Sequence, residues 1–205
     1  MKGIIVLDGP DGVGKTTLAE AFKLLYNAKI IHSSWTPELE IHMDKFHIDQ
    51  VTKAIYHSQT ENRIVILDRL WLSDLCYSEV YRKGTNFKGY HNKICDMLEN
   101  INALNVVCLP SDRIKYKEHF YGLVKKRNEM FHTKMPYIYD AYCYLYWGEN
   151  TFSFKDEEYA SQFSGLCRRE DYIRFDLFEW DGNRNVRAFA NICIEKLIEL
   201  KGNET

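Results

Sequence analysis

The chain is 205 residues long, 45% hydrophobic and 27% charged, with a formal net charge of −2. That length and balance predict one globular domain with a full hydrophobic core, and they exclude a global polycation that holds nucleic acid nonspecifically. No apolar stretch approaches the roughly 20 residues of a membrane-spanning helix, and the apolar run at the N-terminus is too short for a secretion signal, so no membrane partner is expected.

In chain order, Gly3–Asp8 reads as a first strand through the buried-type run Ile4-Ile5-Val6-Leu7. Next, Gly9-Pro-Asp-Gly-Val-Gly-Lys-Thr-Thr17 fits the pattern G-x-x-x-x-G-K-[ST] from Gly9 through Gly14, Lys15 and Thr16. A helix from Lys15 to about Tyr26, with Leu18, Phe22 and Leu25 on one face, follows it. Strand before and helix after make this a phosphate loop rather than a chance glycine turn. Glycines let the backbone wrap with its N–H groups inward, and the helix N-terminus adds partial positive charge. Gly9, Gly12, Val13, Gly14, Lys15, Thr16 and Thr17 are therefore the expected cradle for ATP with Mg²⁺. Lys15 reaches the β- and γ-phosphates and the Thr16 hydroxyl sits on the metal.

Ala28–His32 is the second expected strand. In Ser33-Ser-Trp-Thr-Pro37, Thr36 as cap and Pro37 at the first helical position open a helix. Ile41–Thr60 carries Ile48, Val51 and Ile55 at helical spacing. Arg63–Leu67 is an unbroken apolar run of the kind buried on both faces of a parallel sheet, and it ends in Asp68-Arg69. Leu72, Leu75, Cys76 and Val80 keep a helical period. A polar loop at Lys83–Tyr90 and a helix over His91–Asn102 (Ile94, Met97, Leu98, Ile101) lead to a fourth strand, Leu104–Leu109, stopped by Pro110.

Ser111 or Asp112 caps a helix carrying Ile114, Phe120, Val124 and the basic cluster Lys125-Lys126-Arg127. Ile138, Ala141, Tyr142 and Leu145 mark another helix, and the aromatic stripe Tyr137–Trp147 reads as core. Residues 148–171 form a polar insertion with a short helix near Glu157–Phe163. Tyr172–Glu179 alternates as a fifth strand, Asp181-Gly182-Asn183 is a turn, and Arg184–Leu200 is a helix with Val186, Phe189, Ala190, Cys193, Leu197 and Leu200 on one face. Strands alternating with helices predict a three-layer α/β domain with a mostly parallel five-stranded sheet. Ligands in such sheets bind at the carboxyl ends of the strands, where the phosphate loop, Trp35 and Asp68-Arg69 meet. The six cysteines lie in apolar segments without a C-x-x-C pair, which predicts buried thiols in a reducing, cytoplasmic setting.

An acid at the end of a buried strand can hold Mg²⁺ opposite Thr16, and an Arg beside it offers a two-pronged grip on a second phosphate. The phosphate loop together with Asp68-Arg69-x-x-x-Ser73-x-x-x-Tyr77 resembles the thymidylate kinase branch of the P-loop nucleoside monophosphate kinases, including relatives encoded by DNA bacteriophages. The family element is D-R-x-x-x-S-x-x-A-Y-Q; here Cys76 replaces its Ala and Ser78 its Gln. The specific motifs cover residues 9–17 and 68–77, and the element order covers the whole chain as a single P-loop kinase domain.

The resemblance implies that Asp11 contacts the acceptor sugar or the reacting phosphates, that Arg69 holds the acceptor phosphate, and that Ser73 and Tyr77 line the acceptor site. It also implies that Asn183 lies near the adenine. The family can carry a basic catalytic residue where this chain has Gly12, and members with Gly there take a catalytic Arg from a mobile lid. That points to a lid around residues 113–134 and to Lys125, Lys126 and above all Arg127. The family's second strand ends in a D-R-E-P-G-type element; this chain has His32-Ser-Ser-Trp-Thr-Pro37 instead, and Trp35 and Trp71 are candidates to stack a base.

The expected function is transfer of the γ-phosphoryl group of ATP to a deoxynucleotide, first a thymidylate-like monophosphate. Phosphorylation of a hydroxymethylated pyrimidine such as 5-hydroxymethyluracil in DNA stays open, with a groove of Lys83, Lys88, Arg113, Lys115 and Lys117 to hold the polymer. A nucleotide-binding regulator and a homodimer also stay open. If the chain is phage-encoded, its setting is the host cytoplasm.

Overall fold

The computed structural model describes residues 1–33, 43–82, 91–127, 134–149, 152–154, 157 and 172–202. Trp35, Thr36, Pro37, the Lys83–Tyr90 loop and most of the 148–171 insertion lie outside them.

Five strands form one sheet in the order β2-β3-β1-β4-β5, with every pairing parallel. They are β1 (Gly3–Asp8), β2 (Lys29–His32), β3 (Ile64–Asp68), β4 (Leu104–Cys108) and β5 (Tyr172–Phe175). All residues of β1 and β3 are buried, as unbroken apolar runs require in the middle of a sheet covered on both faces. The seven helices of the described residues are α1 (Lys15–Tyr26), α2 (Met43–Thr60), α3 (Trp71–Tyr77), α4 (His91–Glu99), α5 (Arg113–Arg127), α6 (Met135–Trp147) and α7 (Asn183–Gly202). α1 packs on α7, α2 on α4 and α3 on α6. No described helix is long and apolar enough to cross a membrane.

The register fixes the top of the sheet. Leu7 pairs with Asp68 and His32 with Asp68, so the ends of β1, β2 and β3 lie at one level. Chain order therefore delivers the loop after β1 and the Asp68-Arg69 pair after β3 to adjacent positions.

Several expectations need correction. Leu25 of α1 is 40% exposed and Ile114 of α5 is 71% exposed, so neither belongs to the core. The buried face of α5 is instead Tyr116 and Phe120, one helical turn apart. Strand β5 stops at Phe175, four residues early. Asp176, fully buried, accepts hydrogen bonds from the Ser111 backbone (2.7 Å) and hydroxyl (2.8 Å) and from the Phe178 backbone (2.9 Å), and this turns the chain out of the sheet. Asp112 is thus left as the cap of α5, accepting from the Ile114 and Lys115 N–H groups at 3.0 Å each. After Tyr77 the helix widens into a π-helical turn, Ser78–Arg82, which keeps Tyr81 stacked on Tyr77 (6.3 Å). The insertion is not wholly superficial: Phe154 is buried and packs against Tyr144.

Candidate active site

The phosphate loop leaves β1 through Gly9 and enters α1 through Gly14, whose backbone is left-handed (φ 86°). A Cβ on Gly14 would lie 3.2 Å from Leu177 and Phe175, so the segment after β5 presses directly on the loop. Asn183 opens α7 beyond that segment and is exposed. On the other side a Cβ at Gly12 would meet Phe120 (3.1 Å) and Leu123 (3.2 Å). Helix α5 therefore fills the room that a basic side chain at position 12 would need. Tyr116, also on α5, donates to the Asp11 carbonyl (2.9 Å) and stacks on Tyr139 at 4.7 Å, while Tyr139 donates to the Pro110 carbonyl (2.6 Å). These two tyrosines tie the loop to α5 and α6, and nothing in the motif announces them.

Lys15 is buried, and its ammonium donates to the carbonyls of Gly9 (2.8 Å) and Pro10. Burial, helped by nearby Arg69, pushes its pKa down to about 8. Thr16 and Thr17 are exposed in the first turn of α1, while Val13 is buried beneath the loop.

Arg69 takes a left-handed backbone (φ 69°), held by its N–H donating to the Leu7 carbonyl at 2.9 Å. Its guanidinium pairs with Asp11 and lies 4.9 Å over the Tyr77 ring. Burial alone would raise the Asp11 pKa, but the Arg69 and Lys15 charges win and hold that carboxyl below its usual range. Asp68 is buried; one oxygen contacts His32 Nδ1 (2.8 Å), and the other, Oδ1, has no hydrogen-bond partner. His32, which phosphoryl transfer does not itself require, thus orients the acid at the strand end.

A cavity of about 440 Å³ opens beside Asp11 and Arg69, within the size range of small-molecule sites. Met43, Phe46 and His47 of α2 form one wall. Leu70, Ser73, Asp74, Tyr77 and Tyr81 form the other, with Ser33 at the end of β2. The Ser33 hydroxyl is buried and has no hydrogen-bond partner. His47 is bonded through Nε2 to Asp74, joining the two walls, and both are buried. Of the lining residues, only Asp11, Arg69, Ser73 and Tyr77 belong to a sequence motif. His47, Asp74 and Phe46 were readable only as ordinary helix residues. Trp71, a candidate for stacking a base, is 4% exposed and belongs to the hydrophobic core rather than to the described cavity lining. Of the basic groove residues, Arg113 pairs with Asp140 and Lys115 with Asp112, while Lys83 and Lys88 lie outside the described residues. Arg127 is the last residue of α5.

Beneath the cavity, Ser73 donates to the buried Asp8 and contacts the Tyr142 hydroxyl at 2.6 Å; Tyr142 reaches Asp8 at 3.3 Å. The aromatic stripe of α6 is thus core that also supports the site. Burial pushes the Asp8 pKa from 3.8 up to about 6. A buried acid with a raised pKa favours the folded state while it keeps its proton. Stability from this group is therefore present below about pH 4 and lost as pH rises to about 6, by about 3 kcal/mol. Asp8→Asn, which cannot ionise and still offers an acceptor to Ser73, is expected to be more stable than wild type at pH 7 by about 2 kcal/mol. Denaturant titrations at pH 4 and pH 7 check this; equal wild-type and variant slopes with pH would refute it.

No protein-family model matches the chain, and no curated protein matches it. Solved structures do. The chain is similar to the YorR protein from Bacillus subtilis, determined in complex with phosphorylated GDP (TM-score 0.60, 19% identity, 98% of this chain and 99% of that one). It is similar to deoxyadenosine kinase from M. mycoides with bound dCTP (TM-score 0.51, 16% identity, 94% and 99%). It is also similar to polyphosphate kinase 2 from Arthrobacter aurescens TC1 (TM-score 0.55, 14% identity, 98% and 68%). At these identities the likeness establishes the fold: the chain has the three-layer P-loop kinase fold.

Proposed function

We propose that the protein is a kinase that moves the γ-phosphoryl group of ATP to a deoxynucleoside monophosphate held in the cavity between α2 and α3. The observation that carries this reading is the Arg69–Asp11 pair, which sets the mouth of the cavity against the phosphate loop. A donor on the loop and an acceptor in the cavity then meet at one point. Such transfer needs positioning and charge stabilisation rather than a covalent protein intermediate. The nucleotides seen in the YorR and deoxyadenosine kinase structures support a nucleotide ligand by analogy of fold.

In this reading Lys15 leaves the loop carbonyls for the β- and γ-phosphates. Thr16 and Asp68 would hold Mg²⁺: an unpartnered buried carboxylate oxygen and a hydroxyl suit an ion that takes its other ligands from phosphates and water. The ion would neutralise charge on the phosphates. Arg69 grips the acceptor phosphate, Asp11 and Tyr77 place it, and Asn183 borders the adenine. Residues 113–134 serve as the lid. The resemblance favours Arg127, the last residue of α5, as the lid's catalytic charge. Among acceptors the resemblance puts a thymidylate-like base first.

The Lys15 pKa gives this reading a pH signature. A triphosphate selects the charged ammonium, whereas the free protein loses that proton near pH 8. ATP affinity is expected to be flat below about pH 8 and to fall about tenfold per unit above it. Isothermal titration calorimetry from pH 6.5 to 9.5 checks the slope.

The deciding experiment is transfer of label from γ-labelled ATP across deoxynucleoside monophosphates, nucleosides and DNA containing 5-hydroxymethyluracil. Label in a deoxynucleoside diphosphate supports the proposal. Label in the DNA alone moves the assignment to a hydroxymethylated pyrimidine, and no labelled product leaves a nucleotide-binding regulator.

A further inference from the structure

We infer that Tyr81 and Lys134 are positioning residues for the acceptor-phosphate grip, holding the Arg69 guanidinium in place through the Tyr77 ring. This rests on the reading that Arg69 binds the acceptor phosphate. The contacts form a chain. The Arg69 guanidinium lies 4.9 Å over the Tyr77 ring, and Tyr77 stacks on Tyr81 at 6.3 Å with 29° between the ring planes. The Lys134 ammonium lies 5.3 Å over the Tyr81 ring. Arg69, Tyr77 and Tyr81 all line the cavity. Lys134 also donates to the Val80 carbonyl (3.3 Å), which ties it to the π-helical turn that carries Tyr81.

Arg69 needs such support. Its side chain is long and rotamer-rich, and a partly exposed ion pair with Asp11 fixes it only weakly. A ring face against the guanidinium adds a second restraint. That restraint is only as fixed as the ring. Tyr77 is the last residue of α3, and beyond it the helix widens into Ser78–Arg82, a form that is rare and gathers at functional sites. Tyr81 from that turn supports the Tyr77 ring, and Lys134 holds Tyr81 from another element, at the N-cap of α6. Burial, with the Asp11 charge adding to it, pushes the Tyr81 hydroxyl up to about 12, so its ring stays neutral. Neither Tyr81 nor Lys134 lies in the Asp68–Tyr77 motif. Packing alone would make Tyr81 and Arg69 independent in their effects on activity; a restraint that passes through Tyr77 makes them coupled.

The test is a double-mutant cycle in kcat/KM, with the deoxynucleoside monophosphate that wild type uses best as acceptor. Tyr81→Leu is expected to cost about tenfold in the wild-type background. In Arg69→Gly, where no guanidinium is left to hold, the same change should cost at most about twofold. Tyr81→Phe keeps the ring and is expected to recover most of the loss. Lys134→Ala, at an exposed position, is expected to cost about threefold in wild type and to lose that effect in Arg69→Gly. Wild-type kcat/KM in Tyr81→Leu, or an equal loss in both backgrounds, overturns the inference while the kinase reading stands. If Tyr81→Leu does not melt cooperatively, the Lys134→Ala cycle decides alone by the same criteria. If wild type neither phosphorylates a monophosphate nor binds one by calorimetry, the acceptor-site reading has failed and the inference falls with it.

Discussion

Gly9→Ala is expected to destabilise the protein by about 3 kcal/mol and to weaken ATP binding by about 100-fold or more. Gly9 has φ 142°, in a region that side chains rarely enter. A Cβ there would also fall within contact distance of the Cys108 carbonyl oxygen. That oxygen cannot retreat cheaply. Strand β4 is pinned on one side by β1, where Asp8 pairs with Val107, and on the other by β5, where Cys108 pairs with Phe175. The loop must therefore move instead, and it carries the Lys15 bonds to Gly9 and Pro10 with it. Gly122→Ala is the matched control: a Cβ at Gly122 meets nothing within 4 Å, and the residue lies inside α5. That change should stabilise by up to about 1 kcal/mol through helix propensity alone. Denaturant midpoints and ATP titrations compare the two. A Gly9→Ala protein with wild-type midpoint and affinity would show that the loop does not need this backbone.

The centre of the sheet was legible because β1 and β3 are buried on both faces. Ile4–Leu7 and Ile64–Leu67 admit no other reading once a phosphate loop follows the first and Asp68-Arg69 the second. Edges and amphipathic helices were less legible, since periodicity does not say which side of a helix faces the core. Ile114 is an apolar residue of α5 yet faces solvent, because the face that meets the loop is set by Tyr116 and Phe120, one turn apart. Strand β5 ran on in sequence past Phe175, because alternation cannot anticipate a buried Asp176 whose partners lie 65 residues away at Ser111.

The candidate site divides in the same way. Residues bound to a short motif, such as Lys15 and Arg69, could be placed from the chain. The bond between His47 and Asp74 depends on α2 and α3 flanking one cavity, and their 27-residue separation leaves no local signal. Gly12 was read as a missing charge; the structure gives the steric reason, Phe120 and Leu123.

Arg69 carries the other large expected effect, and here stability and function pull apart. A left-handed backbone at a non-glycine residue costs about 1 kcal/mol, so Arg69→Gly relieves strain. It also removes the pair with Asp11 and the contact over Tyr77, a partly exposed interaction worth about 1 kcal/mol. The two changes offset, and the melting temperature should move by only a few degrees. Activity should not be spared. In the proposed kinase a fixed guanidinium on the acceptor phosphate would supply charge stabilisation that water cannot replace, so kcat/KM for the proposed deoxynucleoside monophosphate should fall about 10³-fold in Arg69→Gly. Arg69→Lys keeps the charge and the strained backbone but loses the planar fork, and should lose about 100-fold. The order Arg above Lys above Gly in kcat/KM, with Gly no less stable than Lys, assigns Arg69 to the reacting phosphates. If Arg69→Gly kept wild-type kcat/KM, the guanidinium would be a clamp on Asp11 alone. The acceptor phosphate would then have to be held by other groups of the cavity, among them the buried, unpartnered Ser33 hydroxyl in its lining.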